Sequence, residues 1–151
     1  MVGGSGPRGD SGAQPRGDLD PAGERAVGAY VREAFGHEFV FVTAYPADAR
    51  PFYHMHPPGS PELTCSYDLP WNGLEITTGA QREHRYDVLL RQLASKGIAA
   101  EPMLDYLRCF RYGCPHACFG LGLSRLLMVL LGLGSIRKAT FLFSGPNRIT
   151  L

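Results

Sequence analysis

The sequence lacks a long apolar segment. Its longest apolar stretch, Leu126–Leu133, is far shorter than the roughly 20 residues that a membrane-spanning helix needs. It also lacks an apolar leader of the secretory type, and it has only four cysteines. Because disulfide frameworks belong to secreted chains, we expect a reduced, cytoplasmic protein with no membrane partner.

The chain also lacks a bias in charge. Fifteen basic and 14 acidic residues give a formal net charge of +1. This balance provides no general attraction for nucleic acid or for an anionic membrane. Any contact with a polyanion is therefore expected to be local.

The length of 151 residues and the 44% apolar content permit one domain with a core. Residues 1–18 are mostly Gly, Pro, Ser, Arg and Asp, so ordering them would cost backbone entropy without burying apolar surface. We predict a disordered tail over 1–18 and one domain over 19–151.

Hydrophobic spacing predicts a helix and a strand in the first half of this domain. Apolar positions recur at helical intervals over Glu24–Phe35, and Gly36 is a stop signal. Phe39–Thr43 is a β-prone run that is apolar on both faces, which predicts a central strand covered on both sides. The proline-rich segment Arg50–Pro61 is expected to be a loop.

The rest of the domain reads as a hairpin followed by helices and a strand. The expected elements are a hairpin of Leu63–Leu69 and Gly73–Thr78 joined through Asn72-Gly73, a helix over Tyr86–Ala94, a second from Pro102 to near Gly113, a buried core helix over about Leu121–Leu131, and a strand at Ala139–Phe143. Hairpin strands with helices grouped between them indicate an α+β fold on a mainly antiparallel sheet.

Two glycine-centred clusters, Gly73–His84 and Pro115–Arg125, combine small residues with well-placed charges. Glycines let a backbone approach a ligand closely, and an Arg early in the following helix offers a planar donor fork to a phosphate. Gly120, Gly122 and Arg125 therefore form a candidate triphosphate site, although this pattern also occurs in plain helix packing.

The second cluster resembles motif 3 of class II aminoacyl-tRNA synthetases, in which Gly-x-Gly-x-acid-Arg opens a core helix and the Arg contacts the γ-phosphate of ATP. The first cluster is similar to the Gly-x-Glu-Ile-(Ser/Thr)-(Ser/Thr)-Gly-Ala-Gln-Arg-x-His segment of the aspartyl and asparaginyl enzymes of archaeal and eukaryotic type. Further matches occur in the same order along the chain, at 50–53, 66–68, 110–113 and 115–117.

The resemblance implies a fold and a set of site residues. The fold would be the C-terminal part of a class II catalytic domain, with Arg125 as the catalytic residue on the γ-phosphate. Glu75 and Thr78 would supply oxygen ligands to the Mg²⁺ that bridges the phosphates. Arg82 would pair with the substrate carboxylate. The remaining implied amino-acid-binding residues are Tyr53, Gln81 and His116.

Several positions depart from the family pattern. Ser124 stands where the family has an acid, Cys118 and Phe119 follow His116 where it has small residues, and Asn72 replaces a common Arg. The ending at 143–148 also differs. These changes suggest relaxed constraint or a different adenylated substrate.

Zinc is a second chemical interpretation. His54 and His56, and a group of Cys109, Cys114, Cys118 and His116, have the residue types that bind zinc. Their spacings match no common zinc finger, so we favour buried thiols and a loop histidine.

The resemblance implies ATP-dependent activation of aspartate, or of asparagine, for tRNA charging, with ATP and Mg²⁺ as cofactors. The family's anticodon-binding domain and its first two catalytic motifs have no counterpart in the sequence, so we expect a truncated enzyme that needs them from elsewhere. It would form a homo-oligomer or bind a partner synthetase chain, and tRNA would be bound only with those missing parts. The alternatives are a non-catalytic remnant that binds a partner, and a tRNA-independent paralogue that activates an amino acid.

Overall fold

A computed structural model describes Gly17 and residues 19–140. Its helices and strands are α1 (Pro21–Phe35), β1 (Val42–Thr43), β2 (Ser66–Trp71), β3 (Leu74–Arg82), α2 (Tyr86–Ser95), α3 (Leu104–Cys109), β4 (His116–Leu121) and α4 (Leu123–Leu130). The strands form one antiparallel sheet in the order β1-β2-β3-β4. The predicted α+β class is therefore confirmed. The predicted tail at 1–18 and the altered ending at 143–148 fall outside the described residues, apart from Gly17.

Helix α1 begins three residues before the predicted start. The Asp20 carboxylate accepts a hydrogen bond from the Gly23 amide at 2.6 Å, and Pro21 follows it as the first helical residue. Both are features of helix N-termini. The helix ends where predicted, at Gly36, which adopts the left-handed conformation with a φ of 69°. Local chemistry thus sets both ends.

The first strand corrects the prediction of a central strand over Phe39–Thr43. The continuous strand is limited to Val42 and Thr43, with an isolated bridge from Phe39 to Trp71 before it, and β1 is an edge of the described sheet. Phe41 is exposed, and Ala44 at a φ of 59° ends the strand. An apolar run is consistent with burial on both faces, but here its aromatic rings contact neighbouring aromatics at the surface, as the Phe39 ring does with Trp71.

The predicted hairpin is confirmed. Strands β2 and β3 are antiparallel, and they reverse at Asn72 and Gly73, whose φ angles are 53° and 77°. Two consecutive left-handed residues define the tight turn that Asn-Gly favours. Helix α1 packs directly on this turn, where a Cβ added to Gly28 would lie 2.6 Å from the Gly73 nitrogen.

The apolar core lies between α2, α3 and the loop that follows β1. Its buried members are Phe52, Leu89, Leu93 and Leu107. The two predicted helices are confirmed, and short 3-10 turns at Glu101–Met103 and Phe110–Tyr112 flank α3. The Gln92 amide donates to the His54 carbonyl at 2.9 Å, which ties α2 to the loop.

The region after α3 differs from the prediction. Strand β4, which was not predicted, occupies His116–Leu121, and α4 has no buried residue. The expectation of a core helix is wrong for the described chain, because no described element covers its outer face. Ala139 ends a 3-10 turn rather than starting a strand, and the rest of that predicted strand lies outside the described residues. None of the described helices is long and apolar enough to cross a bilayer.

Candidate functional site

One face of β3 and β4 gathers several of the predicted site residues. Cα partners across these strands are Thr78 with Gly120, Ala80 with Cys118, and Arg82 with His116. Alternate residues of a strand point to the same face. The sheet therefore places Thr78, Arg82, His116 and Gly120 together, whereas Gln81 is exposed on the opposite face.

A β-bulge brings Glu75 to this face. Two consecutive residues of β2 pair with β3 residues that are not consecutive: Leu69 with Thr77, and Pro70 with Glu75. Ile76 is the extra residue, and one extra residue shifts the side-chain alternation of its strand. In a regular strand, Glu75 and Thr78 are three positions apart and would point to opposite faces. Proline has no amide hydrogen for a regular ladder, so Pro70 suits this position.

Glu75 and Arg125 form an ion pair on this surface. The Arg125 Nη1 donates to the Glu75 Oε1 at 3.0 Å and to the Glu75 backbone oxygen at 3.1 Å. Burial raises the pKa of Glu75, as does the charge of Asp68, while Arg125 acts in the opposite direction. The Gly122 amide donates to the Ile76 carbonyl at 2.8 Å and fixes the start of α4 beside β3. Two predicted residues from distant clusters therefore meet.

A buried charge pair, not assigned a role from the sequence, lies beside Thr78. The Arg50 Nη2 is 2.5 Å from the Asp68 Oδ2, and its Nη1 is 3.4 Å from the Thr78 hydroxyl. The Arg50 guanidinium also lies 3.8 Å from the centre of the Tyr45 ring. The signal was present in the matching segments 50–53 and 66–68, but nothing in the sequence showed that the two segments meet.

Arg82 is held on two sides. Its Nε donates to the Cys118 sulfur at 2.9 Å, and its guanidinium carbon lies 4.7 Å from the centre of the Tyr53 ring. Its Nη1 is buried and has no hydrogen-bond partner among the described residues. A buried donor without a partner is costly, so this atom is ready to receive an acceptor from a ligand.

His54, which was considered only as a zinc ligand, is a buried neighbour of Arg82. Desolvation lowers its pKa to about 4, and the charges of Arg82, Arg50 and His56 act in the same direction, while Asp68 opposes them. The imidazole is therefore neutral at pH 7. Its Nδ1 is also buried without a partner among the described residues.

His116 and the thiols lie at the outer end of β4. His116 is exposed, its Nδ1 is 2.9 Å from the Cys114 carbonyl, and its ring stacks on Phe110. The expectation of buried thiols is wrong for Cys109, Cys114 and Cys118, which are exposed, the last two because β4 and the turn before it are uncovered by described elements. Within 19–140, no three potential metal-ligating side chains cluster together.

The arrangement combines oxygen donors with cationic side chains. Glu75 and Thr78 share a face with Asp68, whose Oδ1 is buried and has no partner in the described chain. Hard oxygen donors of this kind suit Mg²⁺. Arg125 lies on one side of these oxygens, and Arg82 is ready to receive a carboxylate. The surface thus presents cationic side chains at two points, Arg82 and Arg125.

Comparison with known proteins shows which family the chain is similar to. Residues 11–144 match the family model described as tRNA synthetases class II (D, K and N). The aspartate–tRNA(Asp) ligase of Pyrococcus furiosus is 46% identical over 122 residues, which are 80% of this chain and 28% of that protein. The aspartate–tRNA(Asp/Asn) ligase of Aeropyrum pernix is 48% identical over 134 residues, 88% of this chain and 30% of that protein.

Solved structures show a closely similar fold. A putative aspartyl-tRNA synthetase from Leishmania major superposes with a TM-score of 0.86 at 36% identity, covering 94% of this chain and 28% of that one. Asparaginyl-tRNA synthetase from Pyrococcus horikoshii, complexed with asparaginyl-adenylate, gives a TM-score of 0.76 at 34% identity, covering 87% and 30%. The chain thus spans less than a third of the length of these relatives.

Proposed function

The chain belongs to the class II tRNA synthetases of the D, K and N group, and we propose that it forms the amino-acid- and ATP-binding part of an aspartate-activating catalytic domain. The observation that carries this proposal is the state of Arg82. Its guanidinium is held against Tyr53 and Cys118, yet its Nη1 is buried without a partner among the described residues. A carboxylate is the ligand that satisfies such a group best.

Arg82 would select aspartate by its side-chain carboxylate. Because the Nε is already bonded to Cys118, the two Nη groups remain to donate to the two oxygens of the substrate. A charge-assisted, two-point contact favours a carboxylate over the neutral amide of asparagine. We therefore propose aspartate as the preferred substrate, although the similar structures include both aspartyl and asparaginyl enzymes.

Glu75, Thr78 and Arg125 would hold the nucleotide. Glu75 and Thr78 would be the Mg²⁺ ligands, and the ion would offset the charge of the phosphates. Arg125 would contact the terminal phosphate from the start of α4. Since Arg125 now bonds to Glu75, nucleotide binding would require the Arg125 side chain to leave that carboxylate.

The proposed activity would require protein surface beyond the described residues. Strand β4 is exposed at every position and pairs with β3 alone in the described sheet. Helix α4 and the turn that follows it expose Leu123, Leu130 and Leu131. An apolar surface next to an open strand edge is suited to a covering protein. We propose that a second copy or another synthetase chain covers it and completes the site, and that tRNA binds only to such an assembly.

The proposal is tested by pyrophosphate exchange into ATP, with aspartate and asparagine supplied separately in the presence of Mg²⁺. We expect exchange with aspartate when a covering synthetase chain is also present, and a loss of at least about 100-fold in Arg125→Ala, the scale for removing a principal charge-stabilising contact. Arg91→Ala, which removes an exposed Arg on α2, is the matched control and should keep the wild-type rate.

Calorimetry with a non-hydrolysable aspartyl-adenylate analogue separates binding from catalysis. Binding without exchange would indicate a chain that needs the covering protein for the chemical step. Neither binding nor exchange would overturn the proposal and leave the non-catalytic remnant as the better description. Equal exchange with asparagine would contradict only the proposed role of Arg82 in selecting aspartate.

A further inference from the structure

We propose that Cys118 is a positioning residue of the amino-acid pocket, with its sulfur holding the Nε edge of Arg82 so that the Nη groups face the substrate. The inference rests on the proposed function of Arg82 as the carboxylate receptor.

The contact is set by the strands rather than by a mobile loop. Cys118 pairs with Ala80, and Arg82 pairs with His116, so Cys118 and Arg82 are diagonal neighbours on one face of an antiparallel ladder. Diagonal neighbours lie within reach of a long side chain. The distance of 2.9 Å between the Arg82 Nε and the Cys118 sulfur follows from this register.

Two contacts together fix the orientation of the guanidinium. The position of the guanidinium over the Tyr53 ring restrains one side of the group but leaves it able to rotate. The bond to Cys118 removes this rotation by fixing one edge. A planar fork that is oriented in advance loses less side-chain freedom when a carboxylate binds, and this strengthens binding.

The other exposed thiols have no comparable contact. Cys109 lies 3.5 Å from the Asp105 carbonyl, and Cys114 lies 3.7 Å from the Pro115 carbonyl, so both contact backbone oxygens of near neighbours. These cysteines are therefore matched controls for the loss of a thiol. Cys118 is distinguished by its charged partner.

The first test measures the pair itself, without any substrate. In ¹⁵N-arginine-labelled chain, the Nε–H resonance of Arg82 is assigned by its disappearance in Arg82→Lys. We expect slow solvent exchange of this proton in the wild type and in Cys118→Ser, whose hydroxyl oxygen also accepts a hydrogen bond. Exchange should become fast in Cys118→Ala and stay slow in Cys109→Ala. Slow exchange in Cys118→Ala would overturn the pairing.

The second test measures the consequence for aspartate by calorimetry on the full chain. We expect Cys118→Ala to weaken aspartate binding about tenfold, the scale for one hydrogen bond to a charged group, and Cys118→Ser to restore most of it. In the exchange assay the KM for aspartate should rise while kcat changes less than about twofold. Unchanged affinity in Cys118→Ala would overturn the positioning role.

The two tests separate the two proposals. If the wild type bound no aspartate, the proposed function would fail, and the proposed role of Cys118 in the pocket would fail with it. The Nε–H resonance of Arg82 would still show whether Arg82 and Cys118 form a hydrogen bond. If aspartate bound equally well with and without the thiol, the proposed function would stand and the role of Cys118 would fail.

Discussion

At the scale of single residues, the site is a set of charged groups whose partners come from distant parts of the chain. Arg50 and Asp68 are 18 positions apart in sequence, and Arg125 and Glu75 are 50 apart. Residue types and spacings identified Glu75, Arg82 and Arg125 through a family resemblance. They did not identify Arg50 or His54 as parts of the site, because their roles depend on burial and on neighbours that no local pattern records.

Glu83 is another residue whose role the sequence pattern did not indicate. Glu83 is fully buried next to the candidate site. Burial alone would raise the pKa of its carboxyl group. Hydrogen bonds from the side chain and amide of Arg85 and from the amide of His84 hold the pKa below its ordinary value instead. A Glu between an Arg and a His reads as a surface residue in the sequence. Here it closes the turn into α2.

The neutral, buried His54 predicts that acid destabilises the protein. Its pKa is about 4 in the folded chain and about 6.5 when unfolded, so the unfolded chain binds more protons between these values. The contribution is complete above pH 6.5 and is lost as the pH falls towards 4. We expect protonation of this histidine in the unfolded chain to lower the free energy of unfolding by about 2 kcal/mol when the pH falls from 7.5 to 5.

Urea unfolding at the two pH values checks this expectation. His54→Gln should lose about 2 kcal/mol less than the wild type over the same interval. His37→Gln, at an exposed position, should follow the wild type. Equal pH dependence in His54→Gln and the wild type would contradict the assignment of a neutral buried imidazole.

At the scale of elements, the local signals predicted the parts that local chemistry sets. The Asn72-Gly73 turn, the end of α1 at Gly36 and the helices α2 and α3 follow from turn residues, caps and apolar spacing. The bulge at Ile76 could not be predicted in this way, because it depends on how β2 and β3 align. The misassignments of β1 and α4 share one cause: an apolar run shows that a segment can be covered, not that something covers it.

The contact between α1 and the β2–β3 turn predicts a strong effect of a single methyl group. A Cβ at position 28 would lie 2.6 Å from backbone of the turn, which has no flexible end to move aside. We expect Gly28→Ala to lower the free energy of unfolding by about 2 kcal/mol, within the usual range for overpacking.

Gly23→Ala is the control in the same helix. Its added Cβ would meet two side chains, Leu19 at 3.1 Å and the capping Asp20 carboxylate at 3.2 Å, and each can shift by a few tenths of an ångström. Because alanine favours helix, we expect a change within about 0.5 kcal/mol of zero. Thermal and urea unfolding of both variants measure the difference. Equal effects of the two substitutions would show that α1 does not rest on the turn.

At the scale of the whole molecule, the apolar surface divides into a covered and an uncovered part. The cluster around Phe52, Leu89, Leu93 and Leu107 is closed. The part that no described residue covers is the surface of β4, α4 and the turn after it, where Phe119 is 65% exposed and Leu131 is 63% exposed. We expect this surface to drive association in solution.

Light scattering after gel filtration tests the association. The wild-type chain should elute above the monomer mass at micromolar concentration, and Leu131→Asp should shift it towards the monomer. Phe35→Asp, on α1 and also 63% exposed in the wild type, is the matched control and should not change the mass. A monomeric wild type, or equal effects of the two variants, would contradict association through this surface.

The open edge of β4 also has a consequence for handling the protein. Within residues 19–140, the outer edge of β4 has unpaired amide and carbonyl groups beside exposed aromatic and aliphatic side chains, and such an edge is a template on which identical chains can add strands without limit. Productive assembly and aggregation would then compete for the same backbone groups. The outcome would depend on whether a covering chain or another copy of this chain binds the edge of β4 first. Co-expression with a chain that covers β4 should therefore raise the soluble yield, whereas concentrating the isolated chain should lower it.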